Sequence, residues 1–194
     1  MKMRLLFLTA SLAFVCCFLG FAAIGQKQEP NDKPRSTRPE IVKARTPDWV
    51  GEEIRVVDLD GLKKFLQRDP KEAHPLLVNF WATWCDGCRE EFPDLVKIDD
   101  DYRSKGLNFL SVTVDELEDK RLAVSFIQEM KAKMPVVLLN VADKEPAIHA
   151  VDANWDGALP ATFVYDRTGT IVYRHFGKIK PEELRAVIDK TIKP

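Results

Sequence analysis

Cys85 and Cys88 stand two residues apart in the run Trp84-Cys85-Asp86-Gly87-Cys88. Ahead of them lies an apolar, strand-like stretch, Leu76-Leu77-Val78-Asn79-Phe80-Trp81-Ala82-Thr83, and behind them Arg89-Glu90-Glu91-Phe92 begins a helix. A cysteine pair at a strand-to-helix junction can close a small disulfide and open it again. The partial positive charge at the helix N-terminus stabilises the thiolate that such exchange requires. As a static staple the pair would do little, because so short a loop constrains little of the unfolded chain. A c-type haem attachment site needs His directly after the second cysteine, and Arg89 stands there. The expected chemistry is thiol–disulfide exchange.

Within that chemistry the positions differ. Cys85 precedes the helix and is the expected nucleophile; Cys88, inside the first turn, is the expected resolving thiol. Glu91 follows Cys88 by three residues and shares its helical face, whereas Glu90 points elsewhere. A carboxyl group partly buried near the thiols has a raised pKa and can relay protons. Asp86 adds negative charge beside Cys85 and should disfavour its thiolate, while Gly87 should loosen the turn. Of Trp81 and Trp84, one is expected in the core; Trp84, next to Cys85, is expected to give substrates an apolar rim, which Trp155 would extend. His74, His149 and His175 are scattered and none falls at ligand spacing with a cysteine, so no metal site is expected. Asp115, Glu116, Glu118 and Asp119 precede Lys120 and read as the acidic N-terminus of a helix.

The elements that must hold these residues alternate. Strands are expected at 53–57, 76–81, 107–114 and 136–141, and helices at 62–67, 85–105, 120–131 and 147–151. Gly106 ends the helix of the cysteines, and Pro93 should kink it. Segments 161–165 and 170–176 flank Asp166-Arg167-Thr168-Gly169 as a hairpin, and Pro181 suits the first turn of a closing helix to Ile192. The pattern predicts an α/β fold, a mixed central sheet flanked by helices.

With 194 residues, 45% hydrophobic and 30% charged, the chain supports one packed domain plus an extension. The net charge of −1 comes from dispersed charges, which excludes the concentrated basic face that nucleic-acid binding needs. The N-terminus reads as a targeting segment: Lys2 and Arg4 precede an uncharged run from Leu5 to Ile24. Ala23-Ile24-Gly25 offers small residues for cleavage before Gln26, and the same uncharged run is long enough for a retained membrane anchor. Cys16 follows Phe14-Val15, where a lipidation site would have small residues. Residues 1–25 are therefore a signal peptide or anchor, 26–46 a Pro-rich linker, and 47–194 the domain. Either way the domain lies outside the cytoplasm. Two of the four cysteines, Cys16 and Cys17, fall in the targeting segment, so Cys85 and Cys88 are the pair that the exported domain keeps. Removing residues 1–25 takes away two positive charges and shifts the net charge from −1 to −3.

The run Val78 to Cys88, extended by Arg89-Glu90-Glu91-Phe92-Pro93, resembles the active-site segment of thioredoxin-fold proteins and, within them, the exported TlpA/ResA-like branch. Gly157-Ala158-Leu159-Pro160-Ala161-Thr162-Phe163 resembles that family's cis-proline loop. The resemblance covers the chain from about Pro47 to its end. It implies a thioredoxin-like fold, a Glu at position 91 in the proton relay, and Asn79 where thioredoxin carries a buried Asp. It implies that Pro160 is cis and that the Leu159 backbone binds an extended substrate segment as an added strand would. The activity implied is a monomeric reductant of protein disulfides, with apocytochrome c maturation as one target, a membrane thiol as electron donor, and no cofactor beyond the Cys85–Cys88 disulfide. The dipeptide Asp86-Gly87 departs from the commoner Gly-Pro and Glu-Pro and leaves the direction of exchange open. A metallochaperone holding copper(I) through the same thiols is the alternative, since copper(I) favours soft ligands.

Overall fold

The computed structural model describes residues 54–67 and 74–193. The targeting segment and linker expected over 1–46, and the expected start of the domain at Pro47, lie outside the described residues. Among the described residues no helix is long and apolar enough to cross a membrane.

Six strands form one mixed sheet in the order β1-β4-β3-β2-β5-β6: β1 Arg55–Val57, β2 Leu76–Trp81, β3 Asn108–Thr113, β4 Val136–Leu139, β5 Ala161–Tyr165 and β6 Ile171–Phe176. β1 pairs with β4, β4 with β3 and β3 with β2 in parallel; β5 and β6 add antiparallel. β2 lies inside the sheet and all six of its residues are buried, which is why it reads as an apolar run broken only by Asn79.

Successive residues of β2 face opposite sides. Leu77 and Trp81 pack with α2 (Asp86–Tyr102), α3 (Lys120–Glu129) and α5 (Pro181–Ile192). Leu76, Val78 and Phe80 pack with α1 (Leu59–Leu66) and α4 (Glu145–Val151). An aromatic trio anchors each side. Trp81, Phe92 and Phe126 meet at 4.9–5.2 Å between centroids. Phe80, Trp155 and Phe163 meet at 4.7–6.0 Å. Burying each such ring stabilises the fold by roughly 1.5–3 kcal/mol.

Several boundaries differ from the sequence expectation. α1 starts at Leu59 because Asp58 caps it, accepting from Gly61 N at 2.8 Å. α2 passes through Pro93 without ending, stops at Tyr102, and a short 3-10 turn, Arg103–Lys105, carries the chain to Gly106, whose φ of 93° suits glycine. The Asp166–Gly169 hairpin forms as expected, its Asp166 carboxylate accepting from Thr168 N and Thr170 N at 2.8 and 3.0 Å.

Candidate active site

Cys85 ends the connection out of β2 and is the N-cap of α2; Cys88 sits in its first turn. The two form a disulfide. Cys88 N donates to Cys85 Sγ at 3.2 Å, so the cap atom is the sulfur itself. That donor, with the helix dipole, favours negative charge on Cys85 once the disulfide opens. Cys85 is 8% exposed and Cys88 0%. The ordering of outer and inner thiol follows from this: solvent and partners reach Cys85 first.

Glu91 is 1% exposed and lies one helical turn after Cys88. Its Oε1 accepts from Asn79 Nδ2 at 2.9 Å and its Oε2 from Ile179 N at 2.7 Å. Burial pushes its carboxyl up from the usual 4.5 to about 7, against the opposing pull of the Ile179 and Asn79 bonds and the Lys178 charge. Asn79, at the middle of β2, also donates to Thr162 Oγ1 at 3.0 Å. It therefore ties the Glu91 carboxyl to β5, two residues past Pro160.

The loop before β5 forms the opposite wall. The Leu159–Pro160 peptide is cis. Gly87 faces this proline: a Cβ there would lie 3.6 Å from Pro160 Cδ, an ordinary contact. Gly87 has no left-handed backbone. Gly177 N donates to Pro160 O at 2.8 Å. The next two residues reach α2: Lys178 Nζ meets Glu90 Oε2 at 3.0 Å and Ile179 N meets Glu91. One short segment after β6 thus holds the proline loop and the two glutamates together. Leu159 is partly buried.

Trp84 is 67% exposed and stands beside Cys85, while Trp81 is fully buried, as the sequence reading divides them. Trp155 departs from it. It is 4% exposed, packed on Phe80 and Phe163, and it donates Nε1–H to Ala158 O at 2.9 Å. An indole that large is buried by the α4 side of the sheet; it shapes the proline loop from within and offers no rim to a substrate.

Asp115 is the second correction. It caps no helix: it is 1% exposed and directed at the active-site loop. Its Oδ1 accepts from Thr83 N at 3.0 Å and Thr83 Oγ1 at 2.7 Å, and its Oδ2 from Thr113 Oγ1 at 2.5 Å. The remaining acids do not cap α3 by side chain either; Glu116 pairs with Lys144 at 2.7 Å. Sequence reasoning missed this contact because it spans 32 residues. The available signal was the parallel pairing of two six-residue strands. Trp81 opposite Thr113 places Thr83 opposite Asp115. Among the described residues no group of three or more His, Cys, Asp or Glu could hold a metal ion.

The chain is similar to known thiol–disulfide oxidoreductases. The AhpC/TSA family matches residues 44–174. The thiol-disulfide oxidoreductase ResA of Bacillus cereus is 29% identical over 190 residues, 97% of either chain. The thiol:disulfide interchange protein DsbE of Escherichia coli is 31% identical over 143 residues, 73% of this chain and 69% of that one. Among solved structures, a thiol:disulfide interchange protein from Bacteroides sp. aligns with a TM-score of 0.54 at 26% identity, covering 72% of this chain and 85% of that one.

Proposed function

The chain belongs to the AhpC/TSA family, among its ResA- and DsbE-like thiol–disulfide oxidoreductases, and from that premise we propose that it reduces protein disulfides outside the cytoplasm. The observation that carries the reading is the placement of Cys85. It is the outer sulfur of the pair, at the cap of α2, next to exposed Trp84, on the helix whose Gly87 faces Pro160.

The reduced pair starts the reaction. Cys85 thiolate attacks one sulfur of the substrate disulfide; that bond breaks, the second substrate sulfur leaves as thiolate, and a mixed disulfide forms. Cys88 loses its proton and attacks Cys85 Sγ. The first substrate sulfur leaves, and the Cys85–Cys88 disulfide is restored. The substrate gains two electrons, and its two sulfurs take up the proton that Cys88 releases and one more from solvent. Glu91, one turn from Cys88 and ionising at about 7, is suited to take the Cys88 proton near neutral pH. Trp84 offers the apolar contact for the incoming segment, and the backbone of Leu159 beside Pro160 offers strand-like hydrogen bonding.

The Asp86 charge supports the reducing direction. A charge that disfavours the Cys85 thiolate destabilises the reduced pair and favours its disulfide, which makes the couple a better reductant. Export by the N-terminal segment, regeneration by a membrane thiol, and oxidised apocytochrome c as one target complete the proposed setting.

The test is insulin reduction by the protein, with dithiothreitol as donor, together with the potential of the Cys85–Cys88 couple in glutathione buffers. The expected result is catalysed precipitation of insulin and a potential closer to about −270 mV than to about −120 mV. No catalysis, with tight 1:1 copper(I) binding by the reduced protein, would give the metallochaperone the site instead.

A further inference from the structure

We infer that Asp115 is a positioning residue for Cys85: its buried carboxylate fixes the loop that carries Trp84 and Cys85 to the cap of α2. The inference concerns exchange through Cys85 and rests on that part of the functional reading.

The backbone ladder between β2 and β3 runs out at Val114 N to Trp81 O, 2.9 Å. Beyond that point the β2 chain must leave the sheet, turn and start a helix within four residues. The turn closes with Cys85 N donating to Ala82 O at 3.2 Å, which leaves Thr83 and Trp84 at its tip. Thr83 N and Thr83 Oγ1 both donate to Asp115, one residue past the last ladder bond on the β3 side. A side chain thereby continues the strand pairing that the backbones have abandoned. Asp115 is itself held, since Thr113 Oγ1 donates to its Oδ2 and its own N–H returns to Thr113 Oγ1 at 3.2 Å. All the groups that face its oxygens are donors, and a carboxylate with its two oxygens accepts from them together.

The consequence falls on sulfur. Cys85 follows Thr83 by two residues, and its Sγ keeps the Cys88 N–H only if the loop holds the cap geometry. Without Asp115 the loop loses two bonds at its tip, Sγ loses a fixed donor, and the thiolate loses stabilisation. The same loosening misplaces Trp84, the proposed substrate contact.

The experiment compares Asp115→Ala and Asp115→Asn with the unaltered protein in three measurements. These are the rate of Cys85 alkylation by iodoacetamide in the reduced protein at pH 7, the equilibrium constant of the couple with glutathione, and KM for insulin. Asparagine keeps a carbonyl for Thr83 N and Oγ1 but puts an amide donor where Oδ2 accepts from Thr113 Oγ1 and Thr83 N. Alanine removes the anchor. Expected are a tenfold or larger fall in alkylation, a shift of the glutathione constant toward the disulfide, and a raised KM for Asp115→Ala. Asp115→Asn, which keeps one of the two acceptor atoms, should fall between the alanine variant and the unaltered protein. A folded Asp115→Ala that alkylates at the normal rate overturns the inference. If Asp115→Ala does not fold, Thr83→Ala decides. It deletes one of the two anchoring bonds and is expected to slow alkylation threefold or more, and a normal rate overturns the inference. Alkylation needs no disulfide substrate, so failure of the positioning role is distinguishable from failure of the reductase reading, which insulin and the unaltered protein decide.

Discussion

Replacing Glu91 by Gln should remove a pH dependence of stability from the oxidised protein. Glu91 is almost wholly buried, and its carboxyl rises from the usual 4.5 to about 7, chiefly because burial disfavours its charge. A folded-state pKa above the unfolded value means that the folded chain binds more protons between those two values. Stability is then complete below about pH 4.5 and falls as pH rises through about 7. The difference of about 2.5 pH units corresponds to about 3 kcal/mol at 1.36 kcal/mol per unit. Glutamine keeps the shape and an acceptor for Ile179 N or Asn79 Nδ2, but it cannot ionise. Urea unfolding of both proteins, with the disulfide intact, should be followed from pH 4.5 to 8.5. Other groups titrate in both proteins and cancel in the difference. Relative to the unaltered protein, Glu91→Gln should gain about 3 kcal/mol between the acid and alkaline ends. A difference that stays constant across that range refutes the assignment of a neutral, proton-holding Glu91.

Three further outcomes follow from the site. In the reduced protein, brief treatment with iodoacetamide should label Cys85 well before Cys88, as read by peptide mass spectrometry, because the inner thiol is fully buried. Trp155→Ala should lower stability by about 3–5 kcal/mol in chemical unfolding, the usual cost of truncating a buried large aromatic residue. Trp84→Ala should leave stability within about 0.5 kcal/mol, as surface changes do, and should raise KM for insulin several-fold; a loss of stability with unchanged KM would place Trp84 in the core instead.

Much of this arrangement was legible in the chain because it is local. The alternation of apolar runs with helical segments, the cap position of Cys85 and the one-turn offset of Glu91 depend on neighbours within a few residues. So does the Asp166–Gly169 turn. The misses have long-range or competing causes. The first helix is expected from Leu62, yet it starts at Leu59, because the Gly61 N–H is the group that Asp58 caps. Trp155 carries the same signal whether it faces a substrate or Phe80, and only the packing of α4 against β2 and β5 buries it. Asp115 sits in an acidic run whose local reading is a helix N-terminus. The register of β2 against β3 gives it a different partner. The Ile179 bond to Glu91 spans 88 residues and belongs to a backbone N–H, which no side-chain pattern encodes.

The central claim is ordered exchange with Cys85 as nucleophile and Cys88 as resolving thiol, and trapping of the mixed disulfide tests it most directly. Reduced Cys88→Ser and Cys85→Ser proteins would each be mixed with a peptide carrying one disulfide, quenched with acid and resolved by intact and peptide mass spectrometry. Cys88→Ser should accumulate a covalent adduct at Cys85 because no thiol remains to release it. Cys85→Ser should yield less than about a tenth as much, since its remaining thiol is buried and lacks the cap position. Equal trapping by the two variants, or an adduct formed chiefly at Cys88, would contradict the account.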